Sequence, residues 1–271
     1  PFKYRNDYSA FSSNFTFYHT TRELALAAAV YANPANSTVV DVDGNAYVAP
    51  GMLIQKAITA ATETKTVFVS AGTYTEQVDV TKSVEIRGAN YGINPNTGTR
   101  LPESIIHMTS SNPPQRAFTV KNGNLTVVID GFSFNGGSPL HDAHYTAPAN
   151  TSSVTFKNNI VTNGVNLFSG STTTWADVVI ENNRFTNFIP TPGLATPSAI
   201  QLQALNSAKV NHNYFKDIFY AGILLDNINT VEVIGNTIEN TGYQGIQLAN
   251  TIGNAVVENN SIKNANYISQ E

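Results

Sequence analysis

Between residues 154 and 264 the chain repeats one short rhythm of apolar and polar positions. It reads VTFKNNIVTN at 154–163, VVIENNRFTN at 178–187 and AVVENNSIKN at 255–264. Aligned on the second asparagine of each phrase, the repeat passes through Asn159, Asn183, Asn213, Asn236 and Asn260, spaced 24, 30, 23 and 24 residues apart. Three residues before that asparagine stand Phe156, Ile180, Val210, Val233 and Val257. Two after it stand Val161, Phe185, Phe215, Ile238 and Ile262, and four after it Asn163, Asn187, Asp217, Asn240 and Asn264. A second apolar pair recurs as Ile200/Leu202, Ile223/Leu225 and Ile246/Leu248.

Apolar positions two apart predict short strands with one buried face, and the Asn- and Gly-rich joints between them predict turns. A repeat of about 20 to 30 residues without helical periodicity predicts a solenoid in which each strand stacks on its copy in the next coil. Like residues then lie about 4.8 Å apart along the axis. Valine, isoleucine and phenylalanine would fill the interior. Asparagine suits the turns because it tolerates left-handed backbone angles, and stacked amides can bond one another in ladders. No Leu-x-x-Leu-x-Leu framework occurs, which excludes a leucine-rich solenoid. The 30-residue interval holds three prolines within 187–199, which cannot continue a ladder and predict an outward loop.

Upstream the rhythm changes. Residues 20–34 carry a Thr cap, a Glu in the first turn and a closing Pro; residues 49–63 are amphipathic. Both predict helices, and a solenoid needs its first coil covered. The expected division is a cap region over 1–65 and an all-β solenoid of 23–24-residue coils over 66–271, about seven coils in all. The solenoid is expected to continue, or to be covered by a partner, beyond its last coil.

Composition narrows the function. Charged residues are 13% of the 271, asparagines number 33, and the net charge is −4. A nucleic-acid partner is not expected, because phosphate binding needs a clustered basic face. No apolar run is long enough to span a membrane, a need of about 18 residues or more. Without cysteine there can be no disulfide, thiolate metal site or cysteine nucleophile. This composition suits an extracellular or cell-surface protein, of bacterial type, with further domains of the same chain as potential partners.

Residues 54–90, IQKAITAATETKTVFVSAGTYTEQVDVTKSVEIRGAN, resemble the opening of right-handed parallel β-helix proteins of the pectin-lyase-like class. They are similar to pectin methylesterases and to β-helix modules of large bacterial surface proteins. Residues 127–137 look like the next such coil, and 88–106 fit an insertion found after that first turn in the surface proteins. The resemblance implies a right-handed parallel β-helix with an N-terminal helical cap. It implies no single activity, since lyases, hydrolases, esterases, phage spikes and adhesins share the fold. The methylesterase Gln-Ala-Val-Ala-Leu strand, the polygalacturonase Gly-His-Gly and Arg-Ile-Lys motifs, and the calcium-binding Gly-Gly-x-Gly-x-Asp repeat do not occur.

Three groups of side chains carry candidate chemistry. Tyr220, Tyr243 and Tyr267 each follow an anchor asparagine by seven residues, which predicts an aromatic column before a strand. Gln201 and Gln247 would point outward from that strand with Leu224 between them, and Trp175 lies in a Ser/Thr-rich turn. Aromatic surfaces with amides are the chemistry of sugar binding, although such a column also stabilises coils by packing alone. His141, Asp142 and His144 form the densest ionisable cluster, able to hold a divalent cation or to be a solvated loop. No other cofactor is expected. Glu232 and Glu258 are brought to about 8 Å by one coil plus two residues of rise, but Lys209 should stack directly on Glu232 as an ion pair. Arg184 and Lys209 are the remaining candidates for acid–base work on an acidic polysaccharide. Five Asn-x-Ser/Thr sequons occur, at Asn14, Asn36, Asn124, Asn150 and Asn259.

The function expected first is a non-catalytic, rigid module for adhesion or glycan binding, with a polysaccharide partner. A polysaccharide-active lyase, hydrolase or esterase is the alternative, and a tail-spike-like protein a further one.

Overall fold

The computed structural model describes residues 16–19, 38–110, 114–121, 123–142, 152–167, 175–190 and 197–266. Strands stack in three sheets that run up the molecule. The first has twelve strands, from Thr16–His19 through Val84–Arg87, Ser152–Lys157 and Ser207–Asn211 to Ile246–Glu258. The second has eight, from Gly72–Tyr74 through Ile160–Thr162 and Tyr214–Ile218 to Ser261–Ala265. A third, of Val78–Val80, Arg116–Val120 and Ser138–Asp142, serves the earlier coils. Among the described strands pairing is parallel, except between Thr38–Asp41 and Ala46–Val48.

The repeat alignment is the register. Phe156, Ile180, Val210 and Val233 face one another across successive strands, as do Val161, Phe185, Phe215 and Ile238. All eight are sealed from solvent, and the Phe185 and Phe215 rings stack at 4.9 Å and 7°. Burying each such side chain is worth roughly 1.5–3 kcal/mol, so the interior supplies most of the drive to stack.

The asparagine pair at each first turn divides its work. The first member takes a left-handed backbone at Asn158, Asn182 and Asn259, with His212 and Gly235 filling the same place. The second member points inward. The Asn213 Oδ1 accepts the Asn183 backbone N–H at 2.9 Å, and the Asn213 Nδ2 donates to the Ile180 carbonyl at 2.9 Å. The same two bonds recur from Asn183 to the coil of Asn159, from Asn236 to that of Asn213, and from Asn260 to that of Asn236. Turn groups that have no strand partner are thereby satisfied in a dry interior, where an unmade bond costs roughly 1–3 kcal/mol. The outer ladder expected four residues later is also present. Asn163 donates to Asn135, Asn187 to Asn163, Asn240 to Asp217 and Asn264 to Asn240. Asp217 is a carboxylate without a donor, so it ends one run of the ladder as an acceptor.

The N-terminal region departs from the expected cap. The helix expected over 20–34 lies outside the described residues. The second is the seven-residue helix Ile54–Ala60, shorter than 49–63, with Ile54, Ala57 and Ile58 buried. Leu53 offers no side-chain cap. Glu76 accepts the N–H groups of Ile54 and Gln55 at 2.5 and 3.1 Å instead, and the Lys82 ammonium donates to the carbonyls of Thr59 and Ala61. Opposite charges from distant residues thus satisfy both helix ends and suit the helix dipole. The first sheet runs on past this helix through three more strands, Thr16–His19, Thr38–Asp41 and Ala46–Val48.

Residues 88–103 form a strap along the first-turn edge. Arg100 is held by both oxygens of Glu103 at 2.8 and 2.7 Å and donates to the carbonyls of Ile93, Phe132 and Asn158. Asn94 and Asn96 reach up to Asn182 and the Asn183 carbonyl. The strap crosses so close to Gly131 that a Cβ there would lie 2.1 Å from the Tyr91 nitrogen.

Candidate functional site

Tyr220 and Tyr243 end the turn that follows the second-sheet strands Tyr214–Ile218 and Thr237–Thr241. Their rings stack at 4.8 Å and 12°, and the Tyr243 N–H donates to the Tyr220 carbonyl at 3.0 Å. Tyr220 is half-buried and Tyr243 exposed. Two members of the expected column are therefore joined; Tyr267 lies outside the described residues. Each ring of the stack covers one face of its neighbour, so the pair offers ring edges and hydroxyls to solvent.

Gln201, Leu224 and Gln247 fall in register on three adjacent strands of the first sheet, with Leu202, Leu225 and Leu248 on the opposite parity. Leu202 and Leu225 are fully buried, which places the glutamine row on the outer face. Two strand spacings set Gln201 and Gln247 roughly 10 Å apart. Four residues separate each tyrosine from its row, up to about 13 Å of extended chain. The Gln247 Oε1 and the Gln244 Oε1 are buried without a hydrogen-bond partner. Gln244 escaped the sequence reading because it stands in the turn, where strand parity assigns no face. Trp175 opens the strand Trp175–Glu181 three coils below Gln247, in register with Ser152.

His141 lies on the third sheet, in register with Thr119 and, one strand further, Asp79. It is 9% exposed. Asp142 follows it on the same strand, in register with Val120, and His144 lies outside the described residues. Among the described residues no group of three or more His, Asp or Glu side chains is arranged to hold a metal ion.

Lys209, Glu232 and Arg184 are engaged. Lys209 is in register with Glu232 and pairs with it at 3.3 Å, as expected. A hydrogen bond from Asn211, and then Lys209 itself, hold the Glu232 carboxyl below its ordinary value. Glu258 pairs in register with Ile234, two residues along from Glu232, and faces solvent. The Arg184 guanidinium lies 5.8 Å from the centre of the Tyr214 ring, and its Nε donates to Asn96 of the strap at 3.2 Å. Tyr214 in turn donates to Glu239 at 3.1 Å, and burial followed by that carboxylate raises its pKa.

Residues 146–270 match the family model described as a right handed beta helix region. Searches of curated proteins and of solved structures returned no match. The matched segment is the stack that carries both asparagine ladders, and its parallel sheets extend down past the strap and helix: the chain folds as a right-handed parallel β-helix.

Proposed function

We propose that this β-helix is a rigid scaffold of a secreted or cell-surface protein and that it binds a glycan along the edge marked by Tyr220, Tyr243, Gln201 and Gln247. The observation that carries the reading is the parallel tyrosine pair at successive coils, half-buried at Tyr220 and exposed at Tyr243. Phenol hydroxyls and the Gln201 carboxamide donate to and accept from sugar hydroxyls, the Gln247 amide N–H donates while its Oε1 stays buried, and ring edges pack on sugar C–H groups. The distance from ring pair to glutamine row suits an extended polysaccharide better than a single sugar. The solenoid keeps these groups at fixed spacing, so little ordering cost falls on the protein.

The test is titration calorimetry against pectin, alginate and glycosaminoglycans. Tyr243→Ala and Tyr220→Ala should each weaken the binding by about tenfold, the equivalent of 1.4 kcal/mol. Binding to none of these glycans reduces the chain to a spacer. Unsaturated products or new reducing ends, lost in Lys209→Ala or His141→Ala, would replace the proposal with an enzyme.

A further inference from the structure

We infer that Asn163 is a site of self-modification by deamidation, in which the Gly164 main-chain nitrogen, activated through Ser110, attacks the Asn163 side-chain amide. Three Asn-Gly pairs occur, at Asn122, Asn135 and Asn163. Asn122 lies outside the described residues. Asn135 and Asn163 are neighbours in the outer ladder, and the fold treats them differently. The Gly136 N–H donates to the Thr162 carbonyl at 2.9 Å, so its nitrogen is engaged in pairing between coils. The Gly164 N–H has no acceptor among the described residues. Asn163 is exposed and stands past the end of the strand Ile160–Thr162, with φ +57. The ladder asparagines above it, Asn187, Asn240 and Asn264, precede Phe188, Thr241 and Ala265, whose side chains shield the attacking nitrogen. Glycine offers no such shield.

Two hydrogen bonds assist the attack. The Ser110 Oγ accepts the Gly137 N–H at 2.9 Å and donates to the Asn163 main-chain carbonyl at 3.0 Å. The second bond draws electron density out of that peptide and makes its N–H, that of Gly164, more acidic. The Asn163 Oδ1 accepts from the Asn187 Nδ2, which steadies the negative charge that develops on this oxygen during the attack. The Gly164 nitrogen gives up its proton and bonds to the Asn163 Cγ. The Cγ–Nδ2 bond breaks, and Nδ2 takes up one proton and leaves as ammonia. Water then opens the cyclic imide on one side of its nitrogen or the other, giving aspartate or isoaspartate. An aspartate still accepts from Asn187 but cannot donate to Asn135, the situation that Asp217 already meets in accepting from Asn240. An isoaspartate lengthens the main chain between two fixed points, the Asn163 N–H on Thr186 and the Val165 N–H on Gly137. The Phe188 ring stands 2.7 Å from where a Gly164 Cβ would lie, so there is little room for the added length.

The test is peptide mapping by mass spectrometry of the full chain, aged at mildly alkaline pH with and without urea. In urea Asn135 and Asn163 should react at similar rates, since both precede glycine. In the folded chain Asn163 should react about tenfold faster than Asn135 or more, the worth of the hydrogen bond that Gly136 makes. Asn163→Asp supplies the chromatographic standard for the aspartate product. Ser110→Ala separates activation from packing: loss of the polarising bond slows the folded reaction, whereas mere loosening around Gly137 speeds it. Ser110→Thr, which keeps the hydroxyl, should restore the rate. Equal rates at the two asparagines of the folded chain, no reaction at Asn163 until urea is added, or a faster reaction in Ser110→Ala overturns the inference.

Discussion

The lower and upper parts of the solenoid solve one problem by different means. In both, the first turn of each coil leaves backbone groups facing a dry interior. From Asn159 to Asn260 the answer is one device repeated, an inward amide that satisfies the coil below. Below Asn159 the ladder position holds Phe132, whose N–H donates to the Asn159 Oδ1 at 2.8 Å, and then Ala89. There the core sets Phe118 edge to face with Phe132 and Phe134, with Phe134 tilted against Phe156, and the turns are satisfied by particular partners: the strap, Arg100 and Ser104. Repetition makes the upper stack extendable and its coils interchangeable. The lower stack is specific to its own residues.

Paired substitutions break or sharpen this contrast. The largest difference should come from two glycines at the same turn position. Gly131 has φ +81 against the strap backbone, while Gly235 has φ +66 beside the exposed His212 ring. Gly131→Asn should cost about 3–5 kcal/mol from collision and strain. Gly235→Asn, which restores the residue other coils carry, should stay within about 0.5 kcal/mol. Urea unfolding of the two variants checks the pair.

Next comes the inner ladder against the outer one. Asn213→Ala strands the Asn183 N–H and the Ile180 carbonyl in the core and should cost about 2–4 kcal/mol. Asn264→Ala, on the exposed ladder, should cost no more than about 0.5 kcal/mol in the same assay. Arg100→Ala follows, at about 2 kcal/mol, because it frees Glu103 and three carbonyls along the strap. Its thermal transition should broaden as the lower coils separate from the upper.

The smallest effects are in pH, and they have opposite signs. Glu232 in the upper stack has a depressed pKa, so its contribution is present above the ordinary 4.5 and is lost as pH falls through the lowered value. Burial raises Glu76 in the lower part above 4.5, outweighing its two helix N–H bonds, so its contribution is full below 4.5 and is lost as pH rises through the raised value. Glu232→Gln should flatten the acid limb of a stability–pH curve, and Glu76→Gln the decline above it.

The same contrast explains what could be seen in the sequence. The upper stack repeats its solution, so alignment on Asn159 to Asn260 gave the register residue by residue, together with the Lys209–Glu232 pair and the Tyr220–Tyr243 stack. The lower stack solves each turn once. Arg100 bonds Asn158 from 58 residues away, and Glu76 caps a helix 22 residues before it. No periodicity encodes such contacts. The amphipathic pattern over 49–63 is real, but Pro50, Gly51 and the cap supplied at Ile54 by Glu76 set a later start for the helix. Gln244 was missed because turns carry no parity.

The central claim is that the upper coils are held by amides passed from coil to coil, and the lower ones by their own local partners. Native-state hydrogen exchange of the Asn183, Asn213, Asn236 and Phe132 amides, in the unaltered chain and in Asn213→Ala, tests it directly. The account predicts that the Asn183 amide loses protection by about tenfold or more, the loss of one buried hydrogen bond, while Phe132, two coils below, keeps its own. An unchanged Asn183 amide, or an equal loss at all four positions, would contradict it.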